Sequence, residues 1–279
     1  MKIVSKIIKY FSYISFVLLI GIIVSIFIYT VYRSLGVINF EFIFDSPRGM
    51  VLGEEGGIFP AIMGSIWFSF TALIFAFVPA MCAAIYSVFY LKNKKVKRFI
   101  SNVFENVAAI PSIIFGLFSY AVFVYLLGFG RCILSGGIAL AFMIFPFLER
   151  KIEKSFLEVD KNLLIASYNL GIDTRKTFMK IVLPQCIKEI ISSVILALLF
   201  AMSATAPILF TGGVAFATVP NSIMKPAMAL PLHLYLMIAQ GSSQINRAYG
   251  VAAVSLIILF LFSTVAYCLS FKKGKKVKS

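Results

Sequence analysis

"SYNLGIDTRKTFMKIVLPQ", Ser167 to Gln185, is polar, charged and patterned for helices, yet it stands between stretches built almost wholly of apolar residues. Leu163, Leu164 and Ala166 share helical spacing with Leu170 and predict an apolar face. Gly171 follows where helices commonly turn left-handed, so one helix is expected to end there. Asp173 is the expected cap of a second helix, with Phe178, Ile181 and Val182 as its apolar stripe and Arg175, Lys176 and Lys180 facing out. Pro184 lacks an amide proton, so it stops that helix or starts the next. Taken alone, the unit fits either a passive interfacial element or a knob that docks into another protein.

Its surroundings decide the fold class. The 279 residues are 61% hydrophobic and 13% charged, against roughly half and about a quarter in soluble domains, which reads as an all-α membrane protein. Crossing about 30 Å of hydrocarbon takes roughly 20 apolar residues, and six runs come near that length. They are Phe11 to Tyr32, Ser65 to Leu91, Ala108 to Phe129, Ile133 to Phe147, Ile190 to Thr211 and Gly250 to Leu269. The fourth is short and adjoins the third across "GFGR", so those two are expected to form a helical hairpin. Pro111 and Gly116 predict a bent, closely packed third span. The first follows Lys2, Lys6 and Lys9, exceeds a signal-peptide core and precedes no A-x-A site, so it reads as an uncleaved anchor.

The formal charge of +15 is a matter of sidedness. Placing successive connections on alternate sides puts 21 of the 26 basic residues on one side, and the positive-inside rule makes that side, with both termini, cytoplasmic. "KNKKVKR", Lys92 to Arg98, is expected to touch anionic membrane lipid, and no nucleic-acid partner is inferred. The opposite side holds two longer segments. "SLGVINFEFIFDSPRGMVLGEEGGIFP", Ser34 to Pro60, is expected to be an irregular cap, solvated or offering an acidic docking surface. Gly212 to Gly250 is hydrophobic for a loop and is expected to pack against protein.

Several chemistries are excluded. Cys82, Cys132, Cys186 and Cys268 form no C-x-x-C pair, and His233 is the only histidine, so no metal site is expected. No G-x-x-x-x-G-K-[ST], HExxH or G-x-S-x-G occurs, which leaves neither a nucleotide cradle nor the constellation of an intramembrane enzyme. No acidic residue follows Glu189, which argues against a secondary transporter that works through embedded carboxylates.

The spacing Ala166, Ser167, three residues, Gly171, nine residues, then Ile181, Val182, Leu183 and Pro184 resembles the cytoplasmic EAA loop of ABC importer permeases. "GEEGGIFPAIMGS", "AAIPSIIFGLF", "SATAPILFTGG" and "ALPLHLYLMI", in matching order from about Asn39 to the last span, are similar to PstA-type permeases of phosphate importers. The resemblance implies a type I, MetI-like permease fold with six transmembrane helices and both termini cytoplasmic, in the plasma membrane of a prokaryote. It divides the chain into an anchor helix and outer loop (1–59), a permease domain (60–271, coupling loop about 150–188) and a basic tail (272–279).

The same resemblance assigns coupling to the ATPase to Ala166, Ser167, Gly171, Asp173, Ile181, Leu183 and Pro184, with Ile165 standing where the family has glutamate. It implies half of a pore for inorganic phosphate. The implied partners are a dimer of ATP-binding subunits, a PstC-like permease and an extracytoplasmic phosphate-binding protein. ATP and Mg would be used by the partner, with no cofactor bound here. In the fifth span the family carries an arginine four residues before a glutamate; Phe200 and Ala204 occupy those positions, leaving Ser203, Thr205, Pro207 and Thr211 for the translocation path. Another small oxyanion as cargo, or a mainly structural half-pore, stays open.

Overall fold

The computed structural model describes residues 2–49, 51–241 and 245–271. Helix α1 (Lys2–Ser34) meets the last helix, α12 (Ile245–Phe271), through ring contacts of Phe27 with Phe260 and Tyr29 with Tyr249. The expected irregular cap follows: α2 (Phe40–Phe44), N-capped by Asn39, whose side chain accepts from the Phe42 amide at 2.7 Å, and a two-residue hairpin, β1 (Pro47–Arg48) with β2 (Glu55–Gly56).

The core is the pair α3 (Phe59–Ile85) and α6 (Ile133–Leu157). Ala72, Ala76, Ala80 and Ala84 on α3 are fully buried. A Cβ at Gly137 of α6 would fall 2.4 Å from Thr71 Cγ2, so the glycine lets the two helices approach. Between them in sequence lie α4 (Lys94–Ala108) and α5 (Ser112–Ser119), the latter extended by a π-helical turn to Leu126. The chain then turns through Leu127–Cys132 into α6, giving the expected hairpin. Beyond α6 come α7 (Lys161–Asn169), α8 (Thr174–Thr177), a π-helical turn at Phe178–Val182, α9 (Leu183–Ser203), α10 (Ala206–Thr211) and α11 (Leu230–Ala239).

Among the described residues five helices are long and apolar enough to cross a membrane, and α4 with α5 makes a sixth candidate bent by 89°. The long segment before α12 packs against the helices, as its hydrophobicity predicts. Ile133 and Cys132 donate backbone hydrogen bonds to Lys225 and Thr211, and His233 is buried. Arg131 fastens the end of α10 by donating to the carbonyls of Leu209 and Gly213.

All six spans differ from their expected bounds: the first runs Ile8–Ser34, the second begins at Phe59 rather than Ser65 and the last at Ile245 rather than Gly250. The third starts at Ser112 rather than Ala108, because Pro111 disfavours helix in the residue before it and the chain breaks at Ala109–Pro111. The fourth continues ten residues past Phe147 to Leu157; Glu149, Ile152 and Phe156 stay buried while the lysines reach outward along their stems. The fifth is one 30-residue helical run from Thr174 to Ser203, in which Pro184 stands in the first turn of α9, one of the two places expected for it, without interrupting the run. A wide turn at Phe178–Val182, closed by the Leu183 amide donating to the Phe178 carbonyl, immediately precedes the proline, which has no amide to donate. That run ends at Ala204, whose extended backbone (ψ 129°) detaches Ala206–Thr211 as a separate turn of helix. The basic tail at 272–279 lies outside the described residues.

Candidate functional site

Two chain breaks face one another. The bend between α4 and α5 and the break between α9 and α10 open onto a cavity of about 840 Å³ walled on its third side by α6. Phe200, Ser203, Ala204 and Thr205 line it from the α9 end. Phe147 of α6 meets the Phe200 ring at 5.9 Å, and Lys151 Nζ lies 5.8 Å from the Phe147 ring centre. Arg150, Lys151 and Lys154 give the mouth its positive charge. Its one carboxylate, Glu105 of α4, is taken by Arg150 at 2.8 Å, and the same guanidinium nitrogen reaches the Ser101 carbonyl at 2.8 Å.

The four residues expected along a path separate into two pairs. Ser203 and Thr205 line the cavity, although Ser203 Oγ donates to the Phe200 carbonyl at 3.0 Å. Pro207 and Thr211 do not line it. Both are buried in α10 where it packs on α5 and α6, and Thr211 Oγ1 donates back to the Pro207 carbonyl at 2.7 Å. The reason is the break at Ala204, which turns α10 inward. Gly116 on α5 accommodates that turn, since a Cβ there would lie 2.9 Å from the Ala206 carbonyl oxygen.

The second element is the charged stretch. Asp160 caps α7 by accepting from the Asn162 amide at 2.9 Å, Gly171 takes φ +74°, and Asp173 caps α8 by accepting from the Lys176 amide at 3.2 Å. Ser167 and Thr177, 3% and 0% exposed, share a hydrogen bond of 2.8 Å across the turn and lock the two helices together. Phe178, Ile181 and Val182 turn inward and Arg175, Lys176 and Lys180 outward, as the pattern predicts. The apolar face expected from Leu163, Leu164, Ala166 and Leu170 is exposed except at Leu164. Leu170 is 78% exposed and Ile165 55%, with Leu163, Ala166 and Tyr168 also exposed, because only the Ser167 edge and Leu164 turn toward the rest of the fold.

The knob is packed on the ends of the core helices. Phe178 stands edge-on to Phe89 and Phe156, rings of the α3 and α6 ends, at 5.6 and 5.4 Å. Farther along, Cys186 Sγ donates to the Ser155 carbonyl at 3.2 Å and Ser155 Oγ donates to Glu189 at 2.8 Å. Of the residues expected in coupling, Ala166, Gly171 and Asp173 are exposed on the knob, Ser167 is internal, and Ile181, Leu183 and Pro184 belong to the helix that leaves it. The cavity cations and Phe147 were not expected. The signal for them is the buried positions at Glu149, Ile152 and Phe156, whose helical spacing carries α6 past its apolar run.

Comparisons with known proteins identify the family and the fold. A permease described as "Probable ABC transporter permease protein YqgI" from Bacillus subtilis is 28% identical over 271 residues, covering 92% of each chain. "Phosphate transport system permease protein PstA" of Mycobacterium leprae is 32% identical over 227 residues, 80% of this chain and 73% of that one. A chain from an inward-facing structure of the MetNI methionine ABC transporter superposes with a TM-score of 0.60 at 17% identity, over 75% of this chain and 92% of its own. Residues 80–272 match the family described as binding-protein-dependent transport system inner membrane component, and this chain, a MetI-like ABC permease in fold, belongs to that family.

Proposed function

We propose that this chain is half of the pore of an ATP-driven phosphate importer, with its lysine-rich face and both termini on the cytoplasmic side. A dimer of ATP-binding subunits receives the knob, a PstC-like permease completes the pore and an extracytoplasmic binding protein delivers phosphate. ATP and Mg are used by the ATP-binding partner.

The observation that carries this reading is the continuous helical run from Asp173 to the cavity. Docking is read at Ala166, Gly171 and Asp173. The Ser167–Thr177 lock and the Phe89–Phe156–Phe178 cluster carry a displacement of the knob into α6 and α9, and α9 ends at Ser203 in the cavity wall. A helix is stiff along its axis, so moving one end moves the other. The cargo assignment rests on the relative that bears the phosphate name and on the cations at the cavity mouth, which favour an anion. Phe200 and Ala204 put no charge in the wall, so phosphate is steered by Lys151 and Lys154 and handled by hydroxyl and backbone groups at Ser203 and Thr205.

The test is ATP hydrolysis and phosphate uptake by the reconstituted complex with loaded or empty binding protein. Stimulation and uptake with the loaded form are expected. Assembly without either response to phosphate removes the cargo assignment and leaves the knob reading standing.

A further inference from the structure

The exposed surface of the knob has a composition that defines the surface it meets. Around α7, successive residues rotate by about 100°. Leu163 and Leu170 therefore lie to one side of the buried Ser167 edge, and Tyr168 and Ile165 to the other. Exposed apolar side chains thus project in at least two directions. A helix lying on lipid needs a single apolar stripe, whereas apolar groups on both sides fit a groove with two walls.

The rim is cationic. Lys161, Arg175, Lys176 and Lys180 are all exposed, and among the described residues none of them forms an ion pair. Both acids of the unit are spent internally, Asp160 and Asp173 each accepting a backbone amide at a helix start. Ile165 and Leu170, 55% and 78% exposed, present hydrocarbon to whatever meets the knob.

From this we infer that the groove of the ATP-binding partner has an apolar floor, receiving Ile165, Tyr168 and Leu170, and an acidic rim facing Arg175, Lys176 and Lys180. The inference rests on the docking reading above and adds the sign of charge and the polarity of the partner's surface. Such an arrangement makes association faster and tighter at low salt and excludes ATP-binding subunits whose groove is built around a cation for a permease carboxylate.

The experiment measures binding of the ATP-binding subunit to the permease pair in neutral-lipid nanodiscs at several salt concentrations. Four forms are compared: wild type, the triple variant Arg175→Glu/Lys176→Glu/Lys180→Glu, Ile165→Glu and Ile165→Leu/Leu170→Ile. All the changed side chains are exposed, and unchanged melting of the permease pair checks that each variant folds. Wild-type affinity is expected to fall as salt rises. The triple variant should bind at least about tenfold more weakly and gain affinity with salt, because repulsion is then what salt screens. Ile165→Glu should also lose at least about tenfold, and the conservative pair should bind as wild type. Unchanged affinity and salt slope in the triple variant, or tighter binding by Ile165→Glu, overturns the inference. If Leu170→Asp and Gly171→Val also bind as wild type, the knob is not the docking element and the reading beneath it falls instead.

Discussion

Helices α4 and α7 both lie toward the lysine-rich face, both are short, and both mix apolar with charged residues, yet they are built for different neighbours. Around α4, Val96, Phe99, Ile100, Val103 and Val107 fall on one side, while Lys94, Lys95, Arg98, Asn102 and Glu105 fall on the other. No residue of α4 is buried, and its edge is moored to α6 by Lys97 with Glu153 at 3.3 Å and Arg150 with Glu105 at 2.8 Å. That is the design of a helix lying in a membrane interface, with apolar groups down and cations reaching the headgroups. In α7 the exposed apolar residues are not gathered on one side, only Ser167 and Leu164 turn inward, and the turn behind the helix is made by Gly171. Similar hydrophobic content is therefore gathered into one lipid-type stripe in α4 and spread around α7, as the proposed docking role requires. The arrangement of residues around the helix makes the difference.

Gly171→Val gives the largest separation between the two. A β-branched residue at φ +74° costs about 1–3 kcal/mol even though the space around Gly171 is open, because the strain is in the backbone. Binding of the ATP-binding subunit should weaken roughly 5- to 150-fold by the same energies, in neutral and anionic lipid alike. Equal affinity of wild type and variant would mean that the turn does not shape the docking surface.

Next in size is the lock inside the knob. Ser167→Ala leaves Thr177 Oγ1 buried without its partner, a loss of about 1–3 kcal/mol, whereas adding Thr177→Val removes both polar atoms and should restore much of it. The readout is phosphate moved per ATP hydrolysed together with the melting temperature of the complex. The single variant is expected to be worse than the double in both. A double variant worse than either single change would show that packing, not the hydrogen bond, holds α7 on α8.

These contrasts also show what could be read in advance. The turn at Gly171 and the cap at Asp173 were legible because both follow from local backbone chemistry. The inward orientation of Phe178, Ile181 and Val182 was legible because it is a single periodic stripe. Leu163 and Leu170 share a side as their spacing indicates, but periodicity does not say whether that side meets the protein's own core, and here it is exposed. The end of α6 was hidden by its lysines, whose long stems let a buried helix carry charge on its outer side. The cavity was not legible at all. It depends on bringing Ile110 and Ser112 into one wall with Ala204, far apart in the sequence, and the inward turn of α10 that leaves Pro207 and Thr211 outside it follows from the extended backbone at Ala204.

The smallest expected effect sharpens the lipid side of the comparison. Lys95 sits on the polar side of α4 near the boundary with Phe99, where its stem can follow the apolar surface to the headgroup level. A cation at an anionic membrane surface contributes about 1 kcal/mol, so Lys95→Gln should loosen α4 by that amount in phosphatidylglycerol nanodiscs and hardly at all in phosphatidylcholine. Hydrogen exchange of the α4 amides reads this directly, with roughly fivefold faster exchange expected in the anionic lipid only. The α7 amides should not respond to lipid charge, and neither should binding of the ATP-binding subunit, because the cations of the knob face a protein. If α7 protection tracks lipid charge as α4 protection does, the two helices share one neighbour and the distinction drawn from their arrangement of residues is wrong.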